Sequence, residues 1–201
     1  MAYIEPFRRR VRAIKDGREV VDSERVLLVH RPSRPPAYAF PADDVVALPT
    51  VDEPDTPGYV TVVWEVADAW FEEEEEVFGH PRNPYHRVDC LRSNRHLRVE
   101  AMGQVLVDTN TTMAVYETAL EPRLYVHSAL VTGGVLEPSE TKTYCPYKGT
   151  ASYWSARIGS EVIADVAWSY QDPLPESASL AGLLSFEDTR VTVQHDLPSE
   201  V

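Results

Sequence analysis

The sequence predicts a mainly β protein: two tandem homologous small β-rich domains of barrel-like or tent-like form, with one or two short helices. Two observations carry this. Short apolar runs recur about every ten residues, separated by Pro, Gly and Asp clusters, which is the pattern of many short strands rather than of a parallel α/β sheet. The chain also aligns with itself. At a shift of 86, Arg12–Val45 falls on Arg98–Val131 without a gap, and seven of the 34 pairs are identical, Gly17/Gly103, Val21/Val107, Asp22/Asp108 and Pro36/Pro122 among them. Chance pairing at about one in seventeen would give roughly two. A period this long means two copies of a small domain rather than a solenoid. With 201 residues and 43% hydrophobic content, there is material for a real core.

The first copy is expected over residues 1–71. After the basic lead Arg8 to Arg10, residues 11–31 read as strand, hairpin, strand, with Asp16-Gly17 and Asp22-Ser23 as punctuation and Val26-Leu27-Leu28-Val29 as the clearest run. Pro32, Pro35 and Pro36 interrupt pairing before Ala37–Phe40, and Pro41-Ala42-Asp43-Asp44 opens a short turn or helix. Residues 72–94 read as a linker. It begins with Glu72 to Glu76, five carboxylates that cannot all be buried and so form a solvated hairpin tip or connection. A basic cluster follows, His80, Arg82, His86 and Arg87, suited to pairing with that run or to holding an anion.

The second copy is expected over residues 95–201. It resumes at His96–Glu100, runs through Thr112–Tyr116 and reaches Glu117, Arg123 and Tyr125 just ahead of Thr143–Trp154. Ile158–Val162 reads as a hairpin turn, Ala164–Tyr170 as a strand, Pro175–Leu180 as a short helix with Pro in its first turn, and Arg190–Val193 as the last strand. Past the ungapped region the register sets Trp64 opposite Trp154 and Trp70 opposite Trp168. The first copy has Asp55-Thr56-Pro57-Gly58-Tyr59 where the second has Cys145 to Gly149, so only the second carries a thiol and an amine there.

Charge narrows the function. The 19 basic and 32 acidic residues give a net charge of −13, which repels nucleic acid and anionic membrane surfaces. No apolar run approaches the roughly 20 residues of a membrane span. Two cysteines, Cys90 and Cys145, are too few for a disulfide framework, and the first residues have no apolar signal segment, so a cytoplasmic protein is expected, monomeric or a homodimer.

The reactive side chains concentrate in Thr143–Trp154, where Cys145, Tyr147 and Lys148 lie between a Pro-bent entry and a Gly exit. Cys145 serves as a nucleophile if a cation such as Lys148, Arg123 or His127 lowers its pKa, and otherwise as a buried structural thiol. Lys148 can act through its amine or clamp an anion. Glu117 can be a general base, orient Lys148, or form a strand ion pair. Arg123, Tyr125 and Tyr153 are expected to bind ligand, with His80, Arg82 and His86 completing the site. No Cys-x-x-Cys pair supports zinc, no Gly-x-Ser-x-Gly supports a serine triad, and no Gly-x-Gly-x-x-Gly supports a dinucleotide, so neither metal nor cofactor is expected. Two readings stay open: a site for a small anionic metabolite, enzymatic through Cys145 or Lys148, or a non-catalytic binding or protein-interaction module whose Cys-Pro-Tyr-Lys-Gly loop is packing.

Val115-Tyr116-Glu117-Thr118, Glu121-Pro122-Arg123-Leu124-Tyr125, Tyr144 through Trp154, and Trp168 through Glu176 together resemble the bacterial family called domain of unknown function 427, in its long two-domain form. The resemblance covers residues 95–195. It implies a small β-rich fold and no established activity. The nucleotidyltransferase-like heading of that family finds no support in the residues, because Gly159-Ser160 is not followed by a spaced Asp-x-Asp pair. His127 stands where the family more often has Pro.

Overall fold

The computed structural model describes residues 2–198, and the chain divides into two compact units, Met1–Pro84 and Tyr85–Val201. Both are built of antiparallel strands joined by short turns, so the mainly β expectation is met. The first unit contains β1 (Tyr3–Phe7), β2 (Val11–Lys15), β3 (Arg18–Ser23), β4 (Val26–His30), β5 (Ala37–Pro41), β6 (Thr50–Asp52), β7 (Tyr59–Val62), β8 (Ala69–Glu72) and β9 (Glu75–Val77). They form a five-stranded sheet, β1-β4-β5-β7-β6, and a four-stranded sheet, β3-β2-β8-β9. Alternate residues face the core: Val11 and Ala13 of β2 are buried with Leu28, Tyr38, Phe40 and Trp70.

The second unit contains β10 (Val88–Ser93), β11 (Leu97–Ala101), β12 (Gln104–Thr109), β13 (Thr112–Glu117), β14 (Arg123–His127), β15 (Leu136–Cys145), β16 (Gly149–Ile158), β17 (Glu161–Tyr170), β18 (Leu183–Phe186) and β19 (Thr192–His195). A seven-stranded sheet, β10-β13-β14-β18-β17-β16-β15, and a three-stranded sheet, β12-β11-β19, make up this unit. Its main core joins Leu97, Val99 and Leu106 of the small sheet to Ala114, Val126, Ala167 and Phe186 of the large one. Because side chains alternate along a strand, the neighbours of those residues occupy the other face of the large sheet, where Val115, Tyr125, Ala151 and Tyr170 pack with Leu180 in a second cluster. Cys90, Cys145, Tyr153 and Trp168 pack against that cluster.

The two units share element positions. Adding 86 to the bounds of β3 and β5 gives those of β12 and β14, and the 3-10 turns Ala42–Asp44 and Ser128–Leu130 are offset by the same amount. The β2–β3 ladder shifts register after Ala13, and the β11–β12 ladder shifts after Val99, again 86 residues on.

Several expectations need correction. Residues 72–94 are not a linker: Glu72 ends β8, Glu73 and Glu74 turn into β9, and Val88–Ser93 is already a strand of the second unit. The acidic run is a hairpin tip, yet Glu72 turns inward and is buried, accepting a 2.5 Å bond from the Tyr38 hydroxyl and pairing with Arg9. Trp70 and Trp168 are not equivalent, since β8 pairs with β2 as β19 pairs with β11, whereas Trp168 lies on β17 between β16 and β18. The last strand lies two residues later than expected. Pro175–Leu180 is helical, as 3-10 turns. No helix among the described residues is long and apolar enough to cross a membrane.

Candidate functional site

The outer face of the large sheet in the second unit holds a cavity of about 470 Å³. Glu117, Arg123, Tyr125, Lys148 and Tyr153 line it, five of the residues singled out in the sequence, joined by Trp168 and Tyr170. Strand geometry brings them together. Glu117 ends β13, Arg123 and Tyr125 are two apart on β14, Tyr153 lies on β16, and Trp168 and Tyr170 are two apart on β17, so each pair shares a face.

Lys148 arrives from the β15–β16 turn. Cys145 pairs with Gly149, the Lys148 amide donates to the Cys145 carbonyl at 3.3 Å, and the Lys148 carbonyl accepts from Leu174 at 3.1 Å. The Ser177 hydroxyl fixes the Tyr147 carbonyl at 3.1 Å. Gly149 closes the turn at φ +95, a conformation that suits glycine. Held from both sides, the turn delivers the Lys148 ammonium to the Glu117 carboxylate, with both side chains about nine-tenths buried. The other Glu117 oxygen meets His86 Nε2 at 2.9 Å, and the His86 ring stacks on Tyr147 with centroids 3.9 Å apart. Glu117 is therefore shared by two nitrogens, which satisfies a buried carboxylate.

Aromatic rings form the rest of the wall. The Trp168 indole donates to the Tyr125 hydroxyl at 3.0 Å, edge to face. The Arg123 guanidinium lies 5.2 Å above the Trp168 ring and is tethered to the Phe186 carbonyl and Asp188 at 3.4 Å each. The Lys148 ammonium is 5.9 Å from the centre of the Tyr170 ring. Burial pushes the Tyr125 phenol above its ordinary range, against the opposing effect of the Trp168 hydrogen bond. Burial, then the neighbouring Tyr125 hydroxyl, raises Tyr170. Both phenols are therefore neutral donors at physiological pH.

Other expected residues lie elsewhere. Cys145 does not line the cavity; it packs, half-buried, against the Tyr125–Tyr170 cluster. Its partner in sequence counting, Cys90, sits on β10 with a thiol raised by burial, an effect that nearby Lys148 partly offsets. His80 and Arg82 fall in the first unit, where His80 Nδ1 contacts the Pro81 carbonyl at 2.7 Å. His127 Nδ1 accepts from the Ala129 amide at 3.1 Å. Glu121 and Glu187 also line the cavity; Glu121 stands in the Glu121–Tyr125 stretch that carries the family resemblance, but no spacing in the sequence gives either glutamate a role. Trp168 and Tyr170 lie on the strand expected over Ala164–Tyr170; alternation shows that they share a face without showing which one, so their place in the cavity wall is not readable from the sequence. Among the described residues, no three His, Cys, Asp or Glu side chains gather as a metal site would require.

A family model described as a domain of unknown function (DUF427) matches residues 89–196, which include every lining residue of the cavity. Comparison with curated proteins gives no match.

Proposed function

We propose, for a chain that belongs to the DUF427 family, that the cavity of the second unit binds a small monoanionic molecule with a flat apolar part, in the manner of an aromatic carboxylate. The observation that carries this is the convergence of two cations, Lys148 and Arg123, on one aromatic-walled cavity. Ligand sites are largely apolar with a few placed polar groups. Glu117 supports the same reading: a ligand carboxylate can draw on Lys148 while Glu117 keeps His86. Glu121 and Glu187 also face the cavity and disfavour multiply charged ligands.

The placement of Cys145 against apolar rings supports a packing role for its thiol, so the reading includes no chemistry there. Any proton transfer would run through Lys148 and Glu117, which line the cavity, with His86 behind them on the second Glu117 oxygen. We also infer that the units are copies of one ancestral unit, on the shared offset of 86 and the shared bulge, and that only the second kept a site. The first unit has Arg31, Ala37 and Ala39 where the second has Glu117, Arg123 and Tyr125. Arg31 there bonds Glu53 at 2.6 Å instead.

Thermal shift with benzoate tests the reading. Wild type is expected to be stabilised with saturation in the millimolar range or below, and Arg123→Gln and the neutral pair Glu117→Gln/Lys148→Met to lose the effect. Equal stabilisation of all three proteins would contradict it.

A further inference from the structure

The second unit contains another cavity, of about 410 Å³, formed partly by β16 and β18. Along β16, Tyr153 lines the first cavity and Trp154 this one; adjacent strand residues point to opposite faces, so one thickness of sheet separates the two. Its lining differs in kind. Although a quarter of the chain is charged, no Asp, Glu, Lys or Arg lines this cavity. Leu136, Leu184 and the half-buried Trp154 indole supply apolar surface, Gly133-Gly134 supply backbone, and His127 and Gln171 supply polar groups.

Those two polar groups are oriented. His127 Nδ1 accepts from the Ala129 amide, which places the ring proton on Nε2 and makes that nitrogen a donor. The Gln171 amide nitrogen donates at 2.7 Å to the Ser169 hydroxyl, which also accepts from the Trp154 indole at 3.0 Å. Gln171 thereby keeps its carbonyl oxygen as the acceptor for a ligand, and Trp154 is held by the same serine.

We propose that this cavity is a second small-molecule site, for an uncharged flat molecule carrying an amide-type edge. The ring lies on the Trp154 indole, the ligand carbonyl accepts from His127 Nε2–H, and the ligand N–H donates to the Gln171 carbonyl. An uncharged ligand is favoured over a charged one, because no Asp, Glu, Lys or Arg in the lining offers a counter-charge. This inference rests on the second cavity alone and does not depend on the anion reading of the first.

Benzamide and benzoate are the probes, identical in shape and different in charge, each titrated into the full chain while the indole N–H signals are followed by NMR. Benzamide is expected to move the Trp154 signal saturably, and benzoate to leave it in place. In Gln171→Met, which removes the acceptor for the ligand N–H, benzamide affinity is expected to fall at least tenfold; His127→Ala, which removes the donor, is expected to weaken it as well. The proposal is overturned if benzoate moves Trp154 as benzamide does, if benzamide leaves Trp154 unmoved, or if both variants bind benzamide as wild type does.

Discussion

Glu117 is the residue on which the site turns. Its side chain is about nine-tenths buried, it ends a strand, and its two oxygens are taken by Lys148 and His86. Removing one member of a buried ion pair leaves the other uncompensated, a loss of about 3–5 kcal/mol, whereas replacing both is close to neutral. Urea unfolding of Glu117→Gln is therefore expected to show a loss of that order, and Glu117→Gln/Lys148→Met to recover most of it; equal losses in single and double variants would mean that the pair is not coupled. Cys90 offers a pH test. Burial raises its thiol, so the folded state favours the protonated form. Its alkylation in a Cys145→Ala background is expected to lag behind a free thiol as pH rises through the ordinary range near 8.5. By the same linkage, the stabilising contribution is complete below that ordinary value and is lost as pH climbs through the higher folded one. Alkylation matching that of a free thiol would show that Cys90 is not shielded.

Among the elements, the β15–β16 turn matters most. Gly149 sits at φ +95, and a Cβ there would stand 3.4 Å from the Asp172 carbonyl oxygen. An L-residue in that conformation costs about 1–2 kcal/mol. Gly149→Ala should lower the melting temperature accordingly and should also weaken benzoate binding, since the turn aims Lys148. Loss of stability with unchanged binding would mean that the turn does not position the lysine. The Cys-Pro-Tyr-Lys-Gly loop stood out in the sequence for its reactive groups. What the sequence does not contain is their direction: with Gly149 closing the hairpin and Leu174 and Ser177 holding Lys148 and Tyr147, Lys148 faces the cavity while Cys145 packs. That direction depends on contacts some 30 residues away, beyond any local pattern.

At the scale of the molecule, the strands of both units were legible because half-buried antiparallel strands alternate, and Val11/Ala13 or Leu97/Val99 mark the inward face directly. The inward turn of Glu72 was not legible, since its partners Tyr38 and Arg9 come from distant strands. Nor was the boundary at Pro84/Tyr85, because hairpin and strand run through the stretch that composition marks as linker. Each unit has its own core. A fragment of residues 85–201 is therefore expected to unfold cooperatively and to bind benzoate as the full chain does; a fragment that folds but does not bind would place part of the site in the first unit.

The four tryptophans can report directly on an anion site at the outer face of the second unit's large sheet. Benzoate is titrated into the full chain while the indole N–H signals, assigned by Trp→Phe substitution, are followed by NMR. Trp168, beneath Arg123, is expected to shift saturably, with Trp64, Trp70 and Trp154 unmoved. A Trp168 signal that stays fixed at saturating benzoate, or moves no more than the other three, would contradict it.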